Sequence, residues 1–175
     1  MVRFTPLFVE AARPCRHTPA DRWFVDETYV KVSGRWRYLY RAVDQFGQVI
    51  DVLLTTKRDK KAARQFFTRA LAGATAPAEV TTDRAAAYPR VLDEPVPAAQ
   101  HVTVPYANNR IEADHGRLKA RLRPWRGMKK DRSLRIIVTG HAFIQNLRRG
   151  HYELGTDATT LERVAFAFTE LALAF

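Results

Sequence analysis

Three acids in this sequence stand at positions from which they could act together: Asp26, Asp83 and Glu112. Carboxylates gathered in one cleft repel one another and call for cations. Mg²⁺ takes hard oxygen ligands, usually only a few of them carboxylates, and leaves places for phosphate and water. Two such ions about 3.5–4 Å apart activate a nucleophile and stabilise a leaving oxygen at a phosphodiester. Each acid also has a plainer explanation. Asp26 can be a salt-bridged strand residue. Asp83 precedes Arg84 at a strand end, where turn acids are common. Glu112 follows Asn109 as in a capping box, and acids suit a first helical turn. Asp44, Asp51 and Asp114 compete with them. A turn accounts for Asp44, no motif surrounds Asp51, and two helical positions turn Asp114 away from the face of Glu112.

The elements that would position these acids follow from the residue pattern. Residues 23–32 are rich in aromatic and β-branched types and read as a strand. Alternation puts Asp26 on the parity of Phe24, Val30 and Val32, the more apolar of the two faces, where an unpaired carboxylate is costly. Ser33-Gly34 suits a tight hairpin turn. Strands follow over 35–43 and 48–54, separated by the turn Asp44-Gln45-Phe46-Gly47, which makes an antiparallel meander. The period then becomes helical: Asp59 can cap a helix carrying Ala62, Ala63, Phe66, Phe67, Ala70 and Leu71, with Gly73 as a stop. A short strand over 78–82 delivers Asp83. Residues 84–92 have helical character interrupted by Pro89, and 101–104 form another short strand. Helices are expected over 110–122, 133–149 and 160–173. The order predicts an α/β fold of the ribonuclease-H-like kind, a central mixed five-stranded sheet flanked by helices. If the first and fourth strands pair in parallel, Asp26 and Asp83 face one cleft, and the helix after Asn109 supplies Glu112.

Charge bounds the partner. The 175 residues hold 29 Lys and Arg against 18 Asp and Glu, a net charge of +11, which favours a polyanion, nucleic acid before membrane. Cys15 stands alone, which excludes an internal disulfide framework and fits a reducing cytosol. No apolar run approaches a membrane span and no signal-peptide pattern opens the chain. The basic charge concentrates in 117–135, where Arg117, Lys119, Arg121, Arg123, Arg126, Lys129 and Lys130 surround Trp125. Such a tract neutralises phosphates with little regard to sequence, and Trp125 can stack on a base or anchor a loop. Lys119 projects on about the same helix face as Glu112. No glycine-rich phosphate loop or nucleophile elbow is present, and no small-molecule cofactor is expected.

Three stretches resemble a known family. Trp-Phe-Val-Asp26-Glu-Thr-Tyr-Val-Lys-Val with its continuation to Asp44, and Thr82-Asp83-Arg-Ala-Ala-Ala-Tyr with Asn108-Asn-Arg-Ile-Glu112-Ala-Asp-His-Gly-Arg-Leu-Lys119, are similar to the integrase-core DDE transposases of the bacterial insertion-sequence-six family. The resemblance covers about 3–152. It implies a ribonuclease-H-like core, two Mg²⁺ or Mn²⁺ ions, and Asp26, Asp83 and Glu112 as catalytic triad and metal ligands. It implies that Lys119 is the basic residue this family keeps after its glutamate. DNA, both transposon ends and target, is then the partner. A homo-oligomer on DNA is expected, in the bacterial cytoplasm and on the nucleoid when bound. The implied reaction is cleavage at transposon ends followed by attack of the freed 3′-hydroxyl on target DNA.

Members usually carry a helix-turn-helix region ahead of the core. The expectation here is therefore a truncated chain: 1–21 a connector left from an upstream DNA-binding region, 22–152 the catalytic core, 153–175 a helical tail. The segment between Asp83 and Glu112 is also shorter than in many members. Two other readings fit the same residues. One is a nuclease of this fold that cuts without joining. The other is a non-catalytic remnant that binds DNA or inhibits full-length transposase.

Overall fold

The structure, a computed structural model, describes residues 4–83, 91–92, 94–104, 109–125 and 128–173. The chain divides into two compact units, residues 18–131 and residues 1–17 with 132–175.

The first unit is built on one five-stranded sheet, in the order β3-β2-β1-β4-β5. β1 (Arg22–Val32), β2 (Arg35–Asp44) and β3 (Val49–Thr55) form the antiparallel meander, and β4 (Glu79–Thr81) and β5 (Gln100–Val102) extend it in parallel to β1. The hairpin between β1 and β2 closes with Val32 opposite Arg35, leaving a two-residue loop. Ser33 and Gly34 both take positive φ, 46° and 77°, the form whose twist matches paired strands. The second turn is held by Asp44, whose carboxylate accepts from the amides of Ala20, Phe46 and Gln48 at 2.8–3.0 Å. This is the turn role that the sequence suggested for it.

Both faces of the sheet are covered. On one, Trp23, Val25, Tyr40 and Ala42 pack against Ala62, Ala63, Phe66, Phe67 and Ala70 of α2 (Lys60–Leu71). Asp59 caps α2, accepting from Ala62 N at 2.9 Å. Gly73 lies outside the positive-φ positions, so the helix ends without a left-handed glycine. On the other face α3 (Asn109–Leu122) crosses β1 and β2, burying Ile111 and Leu118. β1 buries side chains on both faces: Trp23 and Val25 toward α2, and Thr28 and Val32 on the parity of Asp26. Of the segment 84–92, only Val91 and Leu92 lie within the described residues, both buried in the α2-side core.

The second unit is helical. α1 (Thr5–Ala11) and a 3-10 turn (Arg13–Cys15) occupy the stretch read as a connector. α4 (Asp131–Arg148, in this unit from Arg132) and α5 (Arg163–Ala172) complete it. Its core is Ala12, Phe143, Leu147, Tyr152, Leu154, Ala167 and Leu171, with Phe8 meeting Phe168 edge to face at 4.9 Å. α4 stops at Gly150, whose φ is 77°. The His151 amide then donates to Asn146 O, closing a left-handed helix end. Among the described residues no helix is long and apolar enough to cross a membrane.

Candidate active site

β1 and β4 pair from Arg22 with Glu79 to Phe24 with Thr81. Continuing that register by two residues brings Asp83 level with Asp26. Between Phe24 and the bridge of Val32 to Met128, the β4 side of β1 carries no ladder among the described residues, and a cleft opens there. The cavity holds about 480 Å³ and is lined by Asp26, Glu27, Asp83, Glu112, Arg58 and Tyr29, among others. Oxygens of Asp26, Glu27 and Asp83 all lie within 4.8 Å of one another. Glu112 lines the same cavity from the first turn of α3, outside that tight trio. The three acids expected to converge thus share one cavity.

Two of its residues were not expected. Strand alternation assigns Glu27 to the face away from Asp26, yet at an open strand edge carboxylates from both faces reach the same space. Glu27 is nearly buried, its side chain 4% exposed. Arg58, from the loop before α2, pairs with Glu27 and lies 3.2 Å from Asp83 Oδ2. A neighbouring acid on the strand was the only signal for Glu27. Nothing local marks Arg58.

Electrostatics record the crowding. Burial first, then the charges of Glu27 and Asp83, push the Asp26 carboxyl up to about 7, against a Glu27 amide hydrogen bond and the Arg58 charge. Behind Asp26, His115 Nδ1 approaches its Oδ2 at 3.5 Å. Burial, and then the Arg41 charge, lower His115 to about 4, so it is neutral at neutral pH. Tyr40, opposite Glu27 in register, is pushed up to about 12 by burial and by that carboxylate. The donor set is hard, oxygen-only and unbalanced in charge, which fits Mg²⁺ or Mn²⁺ and does not suit a soft metal.

The competing acids have other partners. Asp114 is buried against Arg41, and Asp51 lies 3.2 Å from Arg69. His101 ties β5 to the end of β4 through Thr82 Oγ1 at 2.8 Å. In the basic tract Arg117, Lys119 and Arg121 are exposed on α3, Arg123 on the 3-10 turn after it, and Lys129 and Lys130 beyond. Lys119 Nζ stands 5.5 Å from the Tyr29 ring centroid. The Trp125 side chain and Arg126 lie outside the described residues.

The chain is similar to known proteins in sequence and in fold. The model of the DDE domain family (DDE_Tnp_IS240) matches residues 20–151. A Staphylococcus aureus transposase for the insertion sequence-like element IS431mec is 37% identical over 105 residues, which are 57% of this chain and 47% of that protein. The chain spans about half the length of the curated relatives it matches. Among solved structures, a chain of the simian T-cell lymphotropic virus intasome in complex with a PP2A regulatory subunit superposes with a TM-score of 0.59. Its identity is 20%, over 83% of this chain and 54% of that one. The HTLV-2 integrase catalytic core domain in complex with magnesium gives 0.52 at 22% identity, over 62% and 72%. At such identities the likeness is one of fold, and the fold is ribonuclease-H-like. With the family model covering most of the sheet unit, the resemblance to insertion-sequence transposases is borne out, and the chain belongs to the DDE domain family.

Proposed function

We propose that this chain is the catalytic domain of a transposase that cleaves DNA at transposon ends and joins them to target DNA. The observation that carries the reading is the convergence of Asp26, Glu27 and Asp83 oxygens within 4.8 Å, in a cavity that Glu112 also lines. Asp26, Asp83 and Glu112 are the ligands and catalytic residues, holding two Mg²⁺ or Mn²⁺ ions. When bound, such ions activate the attacking hydroxyl and stabilise the leaving oxygen of an in-line displacement. In cleavage a water adds to phosphorus and the 3′-oxygen leaves, taking a proton. In joining, that 3′-hydroxyl displaces an oxygen of a target phosphodiester.

The protein's own groups set the stage for these steps. Asp26 sits within β1 and Asp83 two residues past the end of β4, so the paired strands set their spacing before substrate arrives. Arg58 balances Glu27 and Asp83 while the acids are without a cation. Lys119, with Arg117, Arg121, Arg123, Arg126, Lys129 and Lys130, supplies charge that grips phosphates, with Trp125 to stack on a base, and phosphate contacts position a strand without reading it. The working form is a homo-oligomer on DNA in the bacterial cytoplasm. Residues 22–152 form the catalytic core, with 153–175 as an appended tail.

The test is nicking and strand transfer by the purified chain on pre-cleaved and intact end duplexes, with Mg²⁺ or Mn²⁺. Metal-dependent nicking and joined product are expected, with both lost in Asp26→Asn and Asp83→Asn. Nicking without joined product would reassign the chain as a nuclease. No metal-dependent cleavage would leave a DNA-binding role alone.

A further inference from the structure

The β1–β2 hairpin carries a second feature that the acid chemistry does not use. Register pairs Glu27 with Tyr40, Tyr29 with Tyr38 and Lys31 with Trp36, so these six side chains share one face. The face opens along its length. Tyr40 is buried and Tyr38 half-buried, whereas Tyr29 is 60% and Trp36 53% exposed. The Tyr29 and Trp36 rings meet edge to face at 5.2 Å. Lys31 Nζ lies 5.5 Å from the Trp36 centroid, as Lys119 Nζ does from that of Tyr29. Tyr29 and Tyr38 also line the acid cavity, so the track of rings begins there and runs outward. At the hairpin tip the Ser33 amide donates to Met128 O at 2.7 Å, and Ser33 Oγ donates to Lys129 O at 2.6 Å, which brings the exposed Lys129 alongside.

We propose that the Tyr29–Trp36 face, flanked by Lys31 and Lys119, is a stacking platform for unpaired nucleotides of the DNA strand leaving the acid cavity. The chemistry selects this occupant. Every base has a π-face, so open aromatic rings hold bases without choosing among them, and nearby ammonium groups meet the phosphates between. Bases of a duplex are stacked on one another and cannot use the rings. The platform therefore favours melted or overhanging ends. A protein partner would have to desolvate two lysines to reach the same rings, which matches this face less well. The inference rests on the reading that the cavity acts on DNA.

Fluorescence anisotropy with the full chain in EDTA, so that no cleavage occurs, tests it. The probes are a labelled single-stranded oligonucleotide and a blunt duplex of equal length. Trp36→Ala is expected to weaken single-strand binding by about 10-fold, the order of one lost base–aromatic stack. Duplex binding should stay within about twofold, because phosphate contacts carry it. Tyr29→Ala should act in the same direction and Trp36→Phe should keep most of the affinity, with thermal melting confirming each fold. Equal losses on both probes, no loss in Trp36→Ala, no single-strand binding by the unaltered chain, or a change of oligomeric state in Trp36→Ala would each overturn the platform. The cleavage assay separates the two claims. Nicking with an indifferent Trp36→Ala sinks only the platform, and selective single-strand loss without nicking sinks only the catalytic reading.

Discussion

Two arginines pair with acids on opposite faces of β1, and the pairs differ in what can reach them. Arg41 stands opposite Asp26 in register and pairs with Asp114 of α3, both side chains essentially out of water at 0% and 2% exposed. Arg58 pairs with Glu27 and Asp83 while itself 46% exposed, at the wall of an open cavity. The chemistry of the partners is the same. Burial makes the first pair a fixed part of the packing, since neither charge has another place to go. Access makes the second exchangeable, because a cation entering the cavity can take over the acids that Arg58 balances. One pair holds α3 against the sheet, and so places Glu112. The other holds the site's own acids.

Stability measurements can break this contrast. Asp114→Ala takes away the buried guanidinium's carboxylate, and unfolding free energy should fall by about 3–5 kcal/mol. Added Mn²⁺ should not restore it, since the loss is away from the cavity. A loss under about 1 kcal/mol, the scale of a solvent-exposed pair, would show that the Arg41 pair is no more fixed than a surface bridge.

The next effect depends on pH. Asp26 is held near 7 against an ordinary 3.8. Its neutral form is thus favoured in the folded chain, and metal-free stability should fall as pH rises from about 4 to about 7, then level off. Asp26→Asn removes that loss. It should stabilise the metal-free chain by about 4 kcal/mol at pH 8 and by nothing from this source below about pH 4. Paired melting curves at the two pH values decide it, and a pH-independent difference would contradict the crowding account.

The smallest effect sharpens the exchangeable half. Arg58→Gln should cost about 1 kcal/mol without metal, as expected of a partly exposed pair. Mn²⁺ should recover that cost and bind more tightly than to the unaltered chain, since a like charge near the ion has gone. Calorimetric titration reads this directly. Weaker binding would mean that Arg58 supports the ion rather than standing in for it.

What was legible in the sequence was mostly local. The Ser33-Gly34 hairpin, the Asp59 cap and the α2 spacing are written in neighbouring residues, and each formed as expected. So did the parallel placement of β4 beside β1, which aligns Asp83 with Asp26. Glu27 and Arg58 were not legible, because their roles come from an open strand edge and from a loop folding back on it. Trp125 drew notice as the aromatic in a basic run. The exposed Tyr29 and Trp36 sat unremarked in strands, where aromatic residues usually signify packing.

The most direct test of the central claim is anomalous diffraction from crystals of the chain soaked in Mn²⁺. The account predicts a manganese peak at coordination distance, about 2.1 Å, from oxygens of both Asp26 and Asp83, on the side of the cavity that Glu112 lines. At saturating Mn²⁺, no peak at either carboxylate, with Arg58 still bound to Glu27, would contradict it.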